Sequence, residues 1–126
     1  MPISRAKSRE ALELIVLSVL IERDAYGYAI IKQVRGQSDG EIRLTPGVLY
    51  PLLHELEQSK LIAARWEEVH SERKDAESDA DGRRRKWYRI TAKGKRRLSQ
   101  RIAAHRAQQK MIESFLPAED AAGGAA

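Results

Sequence analysis

The chain has 126 residues, a net charge of +5, and 42% hydrophobic against 33% charged residues. This describes one soluble, helix-leaning domain with a modest core and excludes a disordered chain. With no cysteine, disulfides, thiolate metal sites and cysteine nucleophiles are excluded. The longest apolar run, residues 14–21, is too short to cross a bilayer, and Glu10, Glu13 and Glu22 around it do not suit a signal peptide. The expectation is a cytoplasmic protein with no membrane partner.

Residues 1–7 are polar and basic and read as an arm. Ser8 stands as the cap of a first helix running to about Arg23. Leu12, Ile15, Val16, Val19 and Leu20 make that helix apolar on most sides, which implies burial against more than one neighbour. A second helix covers about 26–37, with Tyr26, Ile30, Ile31 and Val34 inward and Gly36 with Ser38-Asp39-Gly40 ending it. The third covers about 45–59. Thr45 suits its N-cap and Pro46 its first position. Leu49, Leu52, Leu53 and Leu56 recur at i, i+3, i+4, i+7, one buried stripe. The opposite face leaves Gly47, Tyr50, Pro51 and His54 outward. Such a helix suits a DNA major groove, and equally a capped core helix whose outer side carries nothing.

The period then changes. Residues 62–69 read as a strand and 86–90 as its partner, with a polar, mostly acidic loop between them and Gly82 as a turn signal. Alternation is expected to lay one face of Trp66, Trp87 and Tyr88 onto the helices as core. Three helices followed by a two-stranded wing describe the winged helix-turn-helix. Thr91 caps a long fourth helix over about 92–116, in which Leu98, Ile102, His105, Gln109, Ile112 and Leu116 form a coiled-coil-like seam. Met111 and Phe115 widen its apolar end. Pro117 follows, and the rest is low-complexity. The fold class expected is mainly α with a small β-hairpin wing: winged helix-turn-helix over 1–91, dimerisation helix over 92–116 and tail over 117–126.

Charge is segregated along this layout. The first sixty residues balance, whereas no acid occurs between Arg83 and Lys110. A basic wing beside a capped third helix points to phosphate neutralisation, with Arg83, Arg84, Arg85 and Lys86 at a hairpin edge able to reach backbone or minor groove. Arg5 and Lys7 add phosphate contacts. His54, His70 and His105 lack metal-ligand spacing, and no Ser-His-Asp constellation or phosphate loop is visible. The chain reads as a non-enzyme without cofactor or metal.

Tyr26-Gly27-Tyr28, the run Pro46-Gly47-Val48-Leu49-Tyr50-Pro51-Leu52-Leu53-His54-Glu55-Leu56, and Gly82 to Thr91 followed by Gly94 resemble the signature segments of PadR-type transcriptional regulators, in the compact branch with a single C-terminal helix. The resemblance covers about residues 12–94. It implies a winged-helix homodimer on promoter operator DNA, usually a repressor, whose first and last helices exchange contacts across the dimer. In some compact members a pore between protomers takes up flat hydrophobic drugs that relieve repression. Two departures stand out. The loop 70–81 is longer and more acidic than is usual, so its tip is expected to bend away from phosphate. His105 stands where drug-binding relatives can carry a large aromatic, and reads as a polar register-setter or a pH-sensitive contact.

The groove residues expected are therefore Thr45, Gly47, Tyr50, Pro51 and His54, and the backbone or minor-groove residues Arg83, Arg84, Arg85 and Lys86. The dimer residues expected are Leu12, Ile15, Val16, Val19, Leu98, Ile102, His105, Gln109, Ile112, Phe115 and Leu116. The partners are double-stranded DNA on a pseudo-palindromic site, a second copy and, as an open alternative, a small-molecule inducer at the dimer seam. A protein-interaction module working through the acidic loop is the alternative from another class.

Overall fold

A computed structural model describes residues 5–68 and 84–118, with side chains from residue 9 onward. Val69, the acidic loop 70–81, Gly82, Arg83 and the tail from 119 lie outside the described residues, as do the side chains of Arg5, Lys7 and Ser8. The order is α1 (Arg5–Glu22), β1 (Ala25–Tyr26), α2 (Gly27–Gln37), α3 (Pro46–Gln58), β2 (Ile62–Glu68), β3 (Arg84–Ile90) and α4 (Ala92–Glu113). This is the winged helix-turn-helix read from the sequence, with three corrections.

First, the wing is not a simple hairpin. A short β1 joins it as a third antiparallel strand in the order β1-β3-β2, pairing Ala25 with Tyr88 and Tyr26 with Trp87. Tyr26 is thus a strand residue that caps α2 from outside, not a member of its inner stripe. Two residues are too few to show a period, so only pairing with β3 reveals the strand. Second, α1 begins at Arg5, which puts Ser8 inside the helix rather than at its cap. Third, of the two aromatics that alternation puts on the helix side of the wing, Trp66 and Tyr88, only one reaches the core. Tyr88 is the buried one, while Trp66 is 49% exposed.

The core lies between α1, α2, α3 and the inner face of the sheet. Val16, Leu17 and Leu20 of α1 meet Ile30 and Val34 of α2, the Leu49, Leu52, Leu53, Leu56 stripe of α3, and Ile62, Tyr88 and Ile90 of the strands. Leu98 of α4 closes the same core. The leucine periodicity of α3 therefore describes real burial, which is the main source of helix stability in a domain of this size.

Leu61 is the knot that sets the wing against the helices. α3 ends at Gln58 with Ser59 as its C-cap, and Lys60 after it takes a left-handed backbone (φ 63°). Leu61 N–H then bonds to Leu56 C=O at 2.9 Å and Lys60 N–H to Glu57 C=O at 3.0 Å, the paired bonds of a Schellman ending. The Leu61 carbonyl accepts from Thr91 N–H at 3.0 Å, and the Thr91 hydroxyl lies within bonding distance of the Lys60 and Leu61 carbonyls while accepting from Gly94 N–H. A Cβ on Gly94 would stand 2.0 Å from the Leu61 oxygen and 2.7 Å from Ile90 Cγ1. The spacing Thr91-x-x-Gly94 thus serves two needs at once: a capped start for α4 and a close approach of α4 to the end of α3.

α4 is held to α1 by charge as well as by Leu98. Glu13 is buried at 5% exposure. It faces Arg97 (Nε to Oε1, 3.3 Å) and Arg101 (Nη2 to Oε2, 3.6 Å), and Arg101 also reaches Glu10 at 3.9 Å. Beyond Ile102 the helix surface is exposed to its end.

Candidate nucleic-acid interface

Opposite its leucines, α3 shows a stripe of Gly47, Pro51, His54 and Gln58 at i, i+4, i+7, i+11, all exposed. Pro46 fills the first helical position, where its missing N–H is no loss, and Pro51 sits one helical turn further on. Thr45 caps the helix through its backbone: its carbonyl accepts from Val48 and Leu49 N–H at 3.1 and 2.9 Å, and its side chain makes no capping bond. The Thr45 side chain is exposed beside Gly47. Tyr50 lies on the flank of this stripe rather than in it. It is half-buried against the core, and its hydroxyl is covered without a hydrogen-bond partner.

Both acids of α3 are neutralised from within the protomer. Glu55 pairs with Arg9 of α1, and Glu57 Oε1 lies 3.2 Å from Lys86 Nζ of β3. Each pair is about half to one-third exposed, so each contributes little to stability. Their effect on the field is larger: the face of α3 between them carries no uncompensated negative charge.

Strand alternation divides the basic block of the wing. Arg84 and Lys86 share the α3 side of β3 with Trp66, paired Trp66↔Lys86 and Glu68↔Arg84. Arg84 stacks its guanidinium 4.4 Å from the centre of the exposed Trp66 ring. Lys86 Nζ, bonded to Glu57, also sits 5.4 Å from the Tyr88 ring. Arg85 points to the other side and lies 4.3 Å over Tyr26. Tyr26 packs edge-to-face on Trp87 at 5.2 Å, and Arg65 covers Trp87 from β2 at 5.4 Å. The run read as one basic edge is thus two cation–aromatic faces back to back, with Lys86 engaged as a tie to α3.

Sequence reasoning passed over three residues of this surface, Gln58, Val48 and Arg9, and placed a fourth, Trp66, among the core aromatics. Gln58 extends the α3 stripe by one turn and was within reach of the same periodicity. Val48 is exposed at 47%, as an apolar residue off the leucine stripe could have signalled. Arg9 and Trp66 are set by long-range packing that no local pattern shows.

The expected dimer residues fall into two groups. Val16, Val19 and Leu98 are buried in the protomer's own core at 0%, 6% and 4% exposure and have no surface to offer a second chain. Leu98 packs as the first apolar residue of the α4 seam, but against its own chain. Leu12, Ile15 and Ile102 are half-buried, and His105, Gln109, Ile112, Phe115 and Leu116 are exposed. α4 stops at Glu113, short of the expected 116, so Met111 and Ile112 belong to its last turn and Phe115 and Leu116 to the turn that follows; the four are 59%, 47%, 84% and 53% exposed. His105 lines two shallow clefts, one with Glu10, Leu14, Arg101 and Gln108 and one with Gln109, Ile112 and Leu116. Neither cleft has a Phe, Tyr or Trp among its lining residues, and His105 supplies the one ring in each.

Among the described residues no helix is long and apolar enough to cross a membrane, and no group of His, Asp or Glu could hold a metal ion. Residues 16–100 match the Transcriptional regulator PadR-like family. A structure of a transcriptional regulator from Clostridium thermocellum superposes with a TM-score of 0.74 at 29% identity, covering 92% of this chain and all of that one. A PadR family transcription regulator from Clostridium difficile R20291 gives 0.69 at 31% identity, covering 84% and 98%. An uncharacterized protein of Lysinibacillus sphaericus is 29% identical over 108 residues, 86% of this chain and 90% of its own length. The transcriptional regulator YqjI of Escherichia coli is 39% identical over 57 residues, which span 45% of this chain and 28% of that protein.

Proposed function

The chain belongs to the PadR-like family of transcriptional regulators, and from that premise we propose that it binds a pseudo-palindromic promoter operator as a homodimer and acts as a repressor. The observation that carries this reading is the state of α3. Its outward face is small and partly apolar at Gly47, Val48 and Pro51, and its two carboxylates are paired with Arg9 and Lys86. A polyanion can approach such a face at close range.

In this reading α3 enters the major groove with Thr45, Gly47, Pro51 and His54 foremost and Tyr50 at its flank. Arg84 and Arg85 follow the phosphate backbone on either side of the wing, joined by Arg83 and, from the N-terminal arm, Arg5 and Lys7. The apolar end of α4, with Ile102, His105, Gln109, Ile112, Phe115 and Leu116, packs on a second copy together with Leu12 and Ile15 of α1. Such an assembly places two α3 helices about one DNA turn apart, which sets the half-site spacing.

Fluorescence anisotropy with the DNA upstream of the protein's own gene, against a scrambled duplex at two salt concentrations, tests the reading. Selective binding that weakens steeply with salt is expected. Equal binding to both duplexes, or none at low salt, counts against it.

A further inference from the structure

We propose that Val48 reads a thymine 5-methyl group in the major groove and so determines part of the operator sequence; this rests on the operator-binding reading above. Val48 occupies the first turn of α3 and is 47% exposed. The protomer gains little from a branched apolar side chain there, since about half of it stays in water. It lies off the buried leucine stripe, it is a weaker helix former than alanine, and it keeps an isopropyl group in water.

Its neighbours narrow what it could meet. Pro46, Gly47 and Pro51 are exposed and have no side-chain hydrogen-bonding group. The exposed face of the first turns of α3 therefore offers little hydrogen bonding apart from the Thr45 hydroxyl, because the Tyr50 hydroxyl is covered. The apolar feature of the major-groove edge is the thymine methyl, which aliphatic side chains contact. Gly47 lets the helix come close: a Cβ there would meet only Thr45 Oγ1, at 4.0 Å, so the domain itself does not require glycine. Glu55, one turn pair further along the Val48 flank, is neutralised by Arg9, which removes the charge that would hold that flank off phosphate.

The probe is a duplex enriched from a random-sequence pool by the full chain. Each thymine in it is replaced in turn by uracil, which deletes the methyl and leaves every hydrogen-bonding group in place. The expected result is one thymine per half-site at which uracil weakens wild-type binding about three- to five-fold, as for one buried methyl. At that position Val48→Ala already binds more weakly and loses nothing further with uracil. The proposal is overturned if uracil at no position weakens wild-type binding, or if Val48→Ala loses the same factor as wild type at the sensitive thymine. The uracil arm changes only the DNA, so a folding defect cannot imitate it. A chain that enriches no duplex at all would instead remove the operator-binding reading, and this proposal with it.

Discussion

Lys86 Nζ lies 3.2 Å from Glu57 Oε1, so the second long strand of the wing is tied to α3 by a cation from the same basic run as Arg84 and Arg85. The three neighbours thus differ in where they lie, Lys86 being the one tied to α3 by this ion pair. Arg84 and Arg85 hold their guanidinium groups over Trp66 and Tyr26, one on each face of the wing. Arg84→Ala and Arg85→Ala are each expected to reduce the slope of log affinity against log salt by about 1, the signature of one lost phosphate contact. Lys86→Ala should change that slope much less. A double-mutant cycle on folding stability should couple Lys86 and Glu57 by about 0.5 kcal/mol, as for a partly exposed pair. Equal slopes for the three variants would show Lys86 on phosphate as well.

Gly47 and Gly94 sit in the first turns of two helices and are expected to respond oppositely to alanine. At Gly47 the added methyl meets only Thr45 Oγ1 at 4.0 Å. Gly47→Ala should therefore raise folding stability by about 0.5–1 kcal/mol through helix propensity. It should weaken operator binding, because the methyl projects from the outward face. At Gly94 the methyl meets the Leu61 carbonyl oxygen and Ile90, so Gly94→Ala should destabilise by about 2–3 kcal/mol. Urea melts of both variants, with anisotropy on Gly47→Ala, check the pair. A Gly47→Ala variant with unchanged DNA affinity would take Gly47 out of the interface.

How far the sequence could be read depends on the range of the forces involved. The leucine stripe of α3, the Thr91 cap and the position of the wing follow from spacing within one turn or one strand, and the structure holds them as read. Tyr26 was placed in a helix because its strand pairing depends on Trp87, sixty-one residues away. Lys86 was grouped with its neighbours because nothing local reveals Glu57 across the groove. Val16, Val19 and Leu98 were assigned to a second chain because periodicity tells that a face is buried, not what buries it. At α4 the same seam begins inside the protomer at Leu98 and continues exposed from His105 on.

Glu13 makes α4 sensitive to a single buried charge. Its carboxylate is 5% exposed and is met by Arg97 and Arg101, whose own side chains reach solvent. Removing the acid leaves two cations that water can accept, so Glu13→Ala should cost only about 1–2 kcal/mol. Removing both arginines strands the buried carboxylate, and Arg97→Ala with Arg101→Ala together should cost more, about 3 kcal/mol. Denaturant midpoints of the two variants, the single and the double, decide the order. If Glu13→Ala proved the most damaging, the acid would be held by contacts other than these two arginines.

Phe115, just past the end of α4, is 84% exposed and stands with Met111, Ile112 and Leu116, an apolar cluster that a monomer would leave in water. In the homodimer proposed above this cluster is covered by the second copy. Phe115→Asp then places a charge in an apolar contact and should shift the chain from dimer to monomer in sedimentation velocity at micromolar concentration. The protomer fold should be unaffected, because Phe115 touches none of the core. Operator affinity should fall with it, since two half-sites are no longer held by one particle, while the weak salt-dependent binding to scrambled DNA by each protomer persists. A Phe115→Asp chain that still sediments as a dimer and keeps its operator affinity would move the interface away from the end of α4 and onto α1.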